Sequence, residues 1–221
     1  MKAADKYQPP AGLDVVFSDE SLIVLNKPSG LLSVPGRGEG MEDCLSARVK
    51  QQFQDALVVH RLDMATSGLI AMARGIEMQR ALSAAFAERQ VHKRYEAVVH
   101  GQIDAPMDAW RTIDMPIRVD WPRRPLRMID PTGQASISRV RLIARDANQG
   151  TSRVALEPET GRSHQLRVHL LAIGHPILGD ALYAPADIAA ATPRLQLHAC
   201  ALQFLHPRSQ SKVEFHSPAP F

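Results

Sequence analysis

A carboxylate and a guanidinium stand two residues apart in the segment HRLDMATSG, at residues 60–68. Asp63 and Arg61 lie in a polar gap between two apolar runs, LVV before and LIAMA after, which indicates a loop between strands. A carboxylate held in such a loop could act as a nucleophile or stabilise a developing positive charge. Asp63 is therefore the first candidate catalytic residue.

A second candidate is Arg167, in the segment TGRSHQLRVH at residues 160–169. On a helical wheel Arg167 falls between Leu170 and Leu171 rather than in a polar sector. A guanidinium with apolar neighbours is costly to bury unless a carboxylate or a phosphate meets it. The alternative is an arginine that extends from the edge of the apolar side into solvent.

Tyr95 is the third candidate, in the strand-like segment HKRYEAVV, and it is one of only three tyrosines in the chain. A tyrosine ring can stack on a planar ligand and its hydroxyl can exchange a proton. Ordinary packing in a core or at a sheet edge would explain the residue equally well.

The segments that would position these residues are strands and helices in mixed order. A buried strand should end at Asn26, before a turn over Pro28 and Gly30 and a short extended piece. Further strands are predicted over GLIAMAR, HKRYEAVVHG, ASISRVRLIARD, TSRVALEPE and LQLHACALQFLHP,. Because strands and helices do not alternate regularly, the pattern favours an α+β fold with a largely antiparallel sheet.

Three helices are predicted. The first covers residues 41–53, and the second covers residues 76–89 with an apolar side formed by Met78, Leu82, Ala85 and Phe86,. The third covers SHQLRVHLLAI and stops at Gly174, a typical residue just after a helix end.

Composition is that of a globular protein, with 221 residues and 45% hydrophobic content,. The N-terminal segment MKAADKYQPPAGLD has no apolar stretch after its first lysine, and no window is long and apolar enough for a membrane span,. We therefore expect a cytoplasmic protein without membrane association. Cys44 and Cys200 are far apart and lack zinc-site spacing, so neither a disulfide framework nor a metal site is expected.

Charge is distributed unevenly along the chain. Residues 1–110 contain 12 Lys and Arg against 14 Asp and Glu, whereas residues 111–221 contain 14 against 9, and 13 of those 14 are arginine. Arginine suits phosphates and base stacking better than lysine, because its planar fork donates hydrogen bonds in pairs. The second half is a candidate nucleic-acid surface, and a solvated basic surface is the alternative.

Several common cofactor and nucleophile motifs are absent from the sequence. Glycines 36, 38 and 40 do not complete a dinucleotide-binding GxGxxG, and no GxxxxGK[ST], GxSxG or HExxH segment occurs,. Nothing in the sequence requires a cofactor or a metal.

Four segments together resemble the RluA family of pseudouridine synthases. They are NKPSG at 26–30, HRLDMATSG at 60–68, KRY at 93–95 and GRSHQLRVH at 161–169. The resemblance covers the chain from about residue 14 to its end, without departure at the motif residues. LSVPGR at 32–37 and DWPRRP at 120–125 resemble the branch of the family that has dual rRNA and tRNA specificity.

The resemblance implies a pseudouridine synthase fold, with a bent, largely antiparallel mixed sheet flanked by helices and loops. Residues 1–13 would form an N-terminal arm and residues 14–221 a single catalytic domain. Asp63 comes too early in the sequence for an S4-like RNA-binding domain ahead of it. We expect a monomer with RNA as its partner and no cofactor or metal.

The resemblance also implies the reaction. Family members convert a uridine in RNA to its C-glycoside, and Asp63 matches the essential aspartate, which attacks C1′, attacks C6 or supports a glycal route. Arg167 matches the basic residue expected to keep that carboxylate ionised, since burial alone would raise its pKa. Tyr95 matches the residue that stacks on the target base and helps to remove the C5 proton.

RNA contacts follow from the same resemblance and from the arginine-rich segment. The target nucleotide must be flipped out of its stack to reach Asp63, and Arg61 matches the arginine near the vacated position. The arm DWPRRPLR combines a stacking surface with phosphate-seeking side chains, although it could be an ordinary surface loop. The expected RNA-contact residues are His60, Arg61, Thr66, Arg123, Arg124, Arg127, Arg162, His164 and Gln165.

Two other classes of function remain open at this point. An RNA-binding protein without catalytic activity would keep the basic surface, and an N-glycoside hydrolase would also place a carboxylate at C1′. The branch resemblance implies a stem-loop substrate, in 23S rRNA and in the anticodon arm of certain tRNAs. The modified positions are not specified by the sequence.

Overall fold

A computed structural model of the chain describes residues 7–221 and divides into two compact units. The first unit contains the chain up to Val91 together with Leu202–Ser217, and the second contains His92–Ala201 with Pro218–Phe221. Of the expected N-terminal arm, residues 1–6 lie outside the described residues. The hydroxyl of Tyr7 accepts a hydrogen bond from the Leu32 amide at 2.9 Å.

The first unit is built on strands whose residues are apolar on both faces. Its elements are β1 (Val15–Ser18), β2 (Leu22–Lys27), α1 (Leu45–Gln52), β3 (Ala56–Val58), β4 (Ser67–Arg74) and α2 (Ile76–Ala87). Antiparallel pairing gives the order β1, β2, β4, and β3 also pairs with β4. Nearly every residue of β2 and β4 is buried, because both strands are covered on both faces,.

The core of this unit lies between the strands and α2. Leu82 is buried, and Met78, Ala85 and Phe86 pack around it, so the predicted apolar side of α2 is confirmed. The buried core residues are Leu22, Val24, Leu69, Ala71, Ala73, Leu82, Val91, Leu202 and Phe204.

The second unit contains most of the remaining elements. They are β5 (His92–His100), β6 (Arg111–Asp114), β7 (Ile117–Val119), β8 (Arg127–Ile129), β9 (Ile137–Asp146), β10 (Thr151–Pro158), α3 (Gln165–Ala172) and α4 (Ala186–Ala190). Antiparallel pairing gives the order β5, β10, β9, β6, and β7 and β8 form a separate hairpin. The last strands are β11 (Leu197–Leu205), whose residues divide between the units, and β12 (Lys212–His216), which pairs with it in the first unit.

The α+β class and the long strands are confirmed, whereas the first helix was predicted too long. Helix α1 begins at Leu45 rather than at residue 41. The amides of Leu45 and Ser46, which as first-turn amides have no partner within the helix, donate to the carbonyls of Leu32 and Ser33, so the helix begins where this neighbouring segment binds its first amides,. The predicted stop of α3 at Gly174 is confirmed: Gly174 has a φ of +84°, and its amide donates to the Leu171 carbonyl at 2.9 Å,.

Five short strands were not predicted: β1, β6, β7, β8 and β12. They contain three to five residues each. So few residues carry too little alternation of apolar and polar types to separate a strand from a loop. None of the described helices is long and apolar enough to cross a membrane.

Candidate active site

Asp63 lies in a loop of the first unit between β3 and β4, as the sequence predicts. Its carbonyl accepts a hydrogen bond from the Thr66 amide at 3.1 Å, which closes a tight turn over the loop. Asp63 is partly buried, whereas Arg61 is exposed. The two side chains therefore face different surroundings.

The NKPSG segment at residues 26–30 fixes this turn through hydrogen bonds that its sequence does not reveal. The side chain of Lys27 is fully buried, and its ammonium donates to the carbonyls of Pro28, Leu31 and Met64 at 2.9, 2.7 and 3.1 Å. The hydroxyl of Ser29 donates to the Ala65 carbonyl at 2.7 Å, and the Gly30 amide donates to the Met64 carbonyl at 2.8 Å. Three donors of one segment thus hold the backbone on the C-terminal side of Asp63.

The N-terminal side of Asp63 is fixed as well. The hydroxyl of Ser33 donates to the Leu62 carbonyl at 2.7 Å and accepts from the Leu62 amide at 3.1 Å. With both adjoining parts of the backbone held, the loop fixes the backbone from which the Asp63 side chain projects. A loop held in this way is preorganised, as a catalytic carboxylate requires.

His60 and Thr66, both expected to contact RNA, lie within this framework. The Nε2 of His60 accepts from the Ala71 amide at 2.9 Å, and its ring stacks on Phe86 with centroids 4.2 Å apart. Thr66 is only 3% exposed. These placements favour positioning of the loop over the direct RNA contact that the sequence analysis expected.

Tyr95 lies in the middle of β5, in the second unit, and is partly buried. It pairs with Leu156 of β10, which is fully buried, so its side chain points to the covered face of the sheet,. Lys93, two residues earlier, lies on the same face. Burial removes water from its ammonium and lowers the pKa of Lys93 below its ordinary value of 10.5,.

Arg167 lies on α3 and is 3% exposed, so the alternative of an arginine extending into solvent is wrong. Asp180 meets it with both carboxylate oxygens: Nε to Oδ2 measures 2.8 Å and Nη2 to Oδ1 measures 2.5 Å. The guanidinium carbon also lies 5.0 Å from the centre of the Tyr183 ring. A carboxylate thus meets the buried guanidinium, and the sequence does not identify Asp180 as that partner.

The segment around Asp180 links Arg167 to other expected RNA-contact residues. Oδ1 of Asp180 also accepts from the amides of Leu182 and Tyr183 at 3.1 and 3.2 Å. The Tyr183 hydroxyl lies 2.6 Å from Nδ1 of His164 and accepts from the Arg127 amide at 2.9 Å. One short turn therefore holds the guanidinium on α3, the residue before that helix and the start of β8.

Gln165, at the start of α3, is 3% exposed, and its amide is fully engaged. Its oxygen accepts from Thr160 Oγ1 at 2.7 Å and from the Arg162 amide at 3.0 Å. Its nitrogen donates to the Ile137 carbonyl and to Ser138 Oγ, each at 2.9 Å. A saturated, buried amide favours a positioning role rather than the expected RNA contact. Arg162 itself is exposed.

His169 continues this network on the next turn of α3. Its Nε2 lies 2.9 Å from the Met115 carbonyl, which only accepts, so Nε2 carries the proton,. Nδ1 then accepts from the Ser138 hydroxyl at 2.9 Å. Burial disfavours a charged imidazole and lowers the pKa of His169 below 6.5,.

The arm expected to grip RNA is the loop of the hairpin formed by β7 and β8. Trp121 is 64% exposed, and the guanidinium of Arg124 lies 4.7 Å from the centre of its ring. Arg123 is exposed but pairs with the buried Asp120 at 2.6 Å. Arg127 is partly buried and donates to the Pro125 and Leu126 carbonyls at 3.2 and 3.3 Å. The loop of the hairpin presents two exposed arginines and one indole.

The structure thus places the expected site residues in two groups. Asp63, Arg61, His60 and Thr66 belong to the first unit, and the other expected residues belong to the second. The important residues that the sequence analysis missed are Lys27, Asp180 and Tyr183. A lysine that ends the apolar run LIVLN was the one available sign of a buried ammonium. Among the residues that the structure describes, no group of three or more His, Cys, Asp or Glu side chains could hold a metal ion.

Comparison with known proteins identifies the family. Residues 21–172 match the family model described as RNA pseudouridylate synthase. The dual-specificity RNA pseudouridine synthase RluA of Escherichia coli strain K12 is 44% identical over 220 residues, covering 98% of this chain and 99% of that protein. The protein of the same name from Vibrio cholerae is 46% identical over 210 residues, covering 94% of this chain and 84% of that protein.

Solved structures agree with this result. Human RNA pseudouridylate synthase domain containing 1 has a TM-score of 0.78 and 28% identity, covering 97% of this chain and 87% of that chain. The human domain containing 4 protein has a TM-score of 0.72 at 24% identity, covering 94% and 88%, and supports the fold. The chain belongs to the RNA pseudouridylate synthase family.

Proposed function

We propose that this protein isomerises specific uridines to pseudouridine in a stem-loop of 23S rRNA and in the anticodon arm of certain tRNAs. The observation that carries the proposal is the Asp63 loop, which Lys27, Ser29 and Ser33 hold on both sides of the carboxylate. It occurs in a chain that is 44% identical over nearly its whole length to dual-specificity RNA pseudouridine synthases. The names of these relatives state dual specificity toward RNA, and the assignment to rRNA and tRNA rests on the resemblance of residues 32–37 and 120–125 to the dual-specificity branch of the family.

The reaction would proceed on a uridine flipped out of its stack. The N1–C1′ bond breaks, the uracil turns within the site, and a C5–C1′ bond forms. C5 loses its proton and N1 gains one, so the product has the composition of the substrate. Asp63 would act at C1′, at C6 or in a glycal route, and each route uses an ionised carboxylate.

Arg167 and Tyr95 would complete the site. Arg167 supplies a permanent cation that favours the ionised form of Asp63, and Asp180 fixes the orientation of its guanidinium through two hydrogen bonds,. Tyr95 would stack on the uracil. A phenol with an ordinary pKa of about 10 is a weak base, so removal of the C5 proton would need help from its surroundings.

The grip on RNA would come from exposed residues. Arg61 would enter the position left by the flipped base, and Arg123, Arg124 and Arg162 would contact the backbone. Arg127 and His164 would hold the hairpin to the turn at Tyr183. We further propose that residues 14–221 act together as one catalytic domain, and that the protein works as a monomer in the cytoplasm.

Incubation with stem-loop RNA labelled with tritium at C5 of uridine tests the reaction. Release of tritium with the base retained in the RNA is expected for the isomerase. Release of free uracil would identify a hydrolase, and neither product would identify a binding protein. Sequencing after carbodiimide treatment, in a strain that lacks the gene, would locate the modified uridines in rRNA and tRNA.

A further inference from the structure

Three arginines surround one tryptophan in the second unit. The guanidinium carbons of Arg139 and Arg141 lie 5.1 Å from the centre of the Trp110 ring, and that of Arg94 lies 5.9 Å from it. All three are within the roughly 6 Å at which a cation is attracted by an aromatic ring. We call Trp110, these three arginines and Glu157 the Trp110 cluster.

The strand register shows which face of the sheet carries the cluster. Glu157 of β10 pairs with Arg139 of β9, whereas the neighbouring Leu156 pairs with Tyr95 of β5. Side chains of successive residues in a strand point to opposite faces. Arg94 and Glu157 therefore lie on the opposite face from Tyr95, so the Trp110 cluster is a surface separate from the face that carries this catalytic candidate.

The carboxylate of Glu157 neutralises only part of the positive charge of the cluster. Glu157 accepts from Arg94 at 3.1 Å and pairs with Arg139 at 3.2 Å, so one carboxylate serves two guanidinium groups. Among the described residues no carboxylate pairs with Arg141, and its buried Nε has no hydrogen-bond partner there. Three cations against one anion leave two positive charges in the cluster, whereas Arg153, elsewhere on this face, pairs with Glu96 at 3.0 Å and also donates to the Phe221 oxygen.

We propose that the Trp110 cluster is a second RNA-contact surface, which binds the phosphodiester backbone of the segments that flank the modified stem-loop. This inference rests on the proposed function, because it takes RNA as the substrate. Guanidinium groups bind phosphate oxygens in pairs. Because the indole already orders the three side chains, binding costs less conformational entropy than it would for free surface arginines.

The cluster favours RNA over an acidic protein partner because its cations are all arginines placed around a single ring. Planar guanidinium groups held in fixed positions match the regular spacing of phosphates along an RNA backbone. Their attraction to a polyanion is long-range and salt-dependent. We assign the stem-loop itself to the Asp63 loop and the flanking RNA to the Trp110 cluster.

The test uses the double variant Arg139→Gln with Arg141→Gln and two substrate RNAs. One RNA is the minimal stem-loop, and the other is the same stem-loop with a flanking duplex. The variant should release tritium from the minimal RNA at the unaltered rate and bind it normally. For the extended RNA, its affinity should fall and the slope of log affinity against log salt should decrease by about 1.8, or 0.9 for each lost contact.

Two further variants sharpen the result. Lys50→Gln with Arg80→Gln removes the same charge from exposed positions in the first unit and should leave the binding of both RNAs unaltered. Glu157→Gln removes the neutralising carboxylate and should tighten binding of the extended RNA. Equal loss on both RNAs, equal slopes for variant and parent, or binding of polyglutamate in preference to the extended RNA would each overturn the proposal. If the parent protein does not modify the minimal stem-loop, the proposed function is wrong. The affinities of the parent and the variant for the two RNAs would still test the proposed RNA-contact surface.

Discussion

The loop that carries Asp63 and the helix segment that carries Arg167 are held in different ways. In the first unit, side chains of NKPSG and of Ser33 hold the backbone around Asp63, through carbonyls of Leu62, Met64 and Ala65. In the second unit, a side chain holds another side chain, because Asp180 binds the guanidinium of Arg167 directly. The backbone clamp fixes where a carboxylate is presented, and the ion pair fixes how a cation is oriented.

This difference has a physical reason. A catalytic carboxylate has to meet its substrate, so its own oxygens cannot all be committed to structural hydrogen bonds, and the surrounding backbone has to supply the rigidity. A guanidinium has five donors, so two of them can bind a carboxylate while the charge still acts on its surroundings.

Removing the carboxylate while keeping the clamp should abolish turnover. Asp63→Asn should lower the rate of tritium release by at least about a thousandfold, as is typical when the central reactive group of a catalytic unit is lost. RNA binding should change little, because the backbone of the loop is held by other residues. Asp104→Asn, at an exposed position, is the matched control. Normal turnover by Asp63→Asn would refute the mechanism.

Removing the clamp while keeping the carboxylate tests the first arrangement. Lys27→Met leaves the carbonyls of Pro28, Leu31 and Met64 without this donor and should lower the free energy of unfolding by about 4 kcal/mol. The rate of product formation at saturating RNA should fall as well, because the Asp63 loop is no longer fixed. Denaturant unfolding and single-turnover kinetics measure the two effects, with exposed Lys50→Met as the control. An unshifted unfolding midpoint would show that the ammonium does not hold the loop.

Breaking the ion pair tests the second arrangement. Asp180→Asn leaves a buried guanidinium without its carboxylate and should lower the free energy of unfolding by about 3 kcal/mol. The rate at saturating RNA should fall while RNA affinity is largely kept, since Arg167 is oriented less well. Asp187→Asn, in the same segment but exposed, should behave like the parent protein. If Asp180→Asn weakened only RNA binding, Asp180 would not act through Arg167.

The arginines of the hairpin arm, two exposed and one partly buried, provide a contrast with the buried Arg167. Replacing Arg123, Arg124 and Arg127 with glutamine should weaken RNA binding and reduce its salt slope by about 2. The rate at saturating RNA should remain close to that of the parent, because the cations held for catalysis are elsewhere. Titrations over a salt series measure the effect. Slopes that coincide with those of the parent protein would identify an ordinary surface loop.

The polar network behind α3 should respond to pH. Burial lowers the pKa of His169 below 6.5, so the folded protein keeps the imidazole neutral while the unfolded chain takes up a proton. The neutral imidazole of His169 therefore contributes its full stabilisation above pH 6.5, and this stabilisation is lost as the pH falls through the lowered pKa. The free energy of unfolding decreases by at most about 1.4 kcal/mol per pH unit. In urea unfolding between pH 7.5 and 5, His169→Gln should lose less stability than the parent. Parallel pH profiles would show that His169 does not titrate differently on folding.

Much of the fold could be predicted from local pattern. Long apolar or alternating runs gave β2, β4, β5, β9, β10 and β11, because six or more residues are enough to show the period of a strand. The start of α1 could not be predicted, since the amides of its first two residues are bound by the carbonyls of residues 32 and 33, a contact that only the folded chain supplies. Short strands such as β7 and β8 are defined by their partners rather than by their own residues.

In the candidate site as well, some features could be predicted from the sequence and others could not. By itself, the sequence determined which residue types could carry the chemistry: a loop carboxylate at Asp63, a guanidinium among apolar residues at Arg167 and a tyrosine at Tyr95. Tertiary structure alone decided that Lys27 holds the backbone beyond Asp63, and that Asp180 meets Arg167 across 13 residues. Chemical type is a property of a single residue and can be read along the chain. Burial and hydrogen-bond partnership are properties of residue pairs, and only the folded chain brings those pairs together.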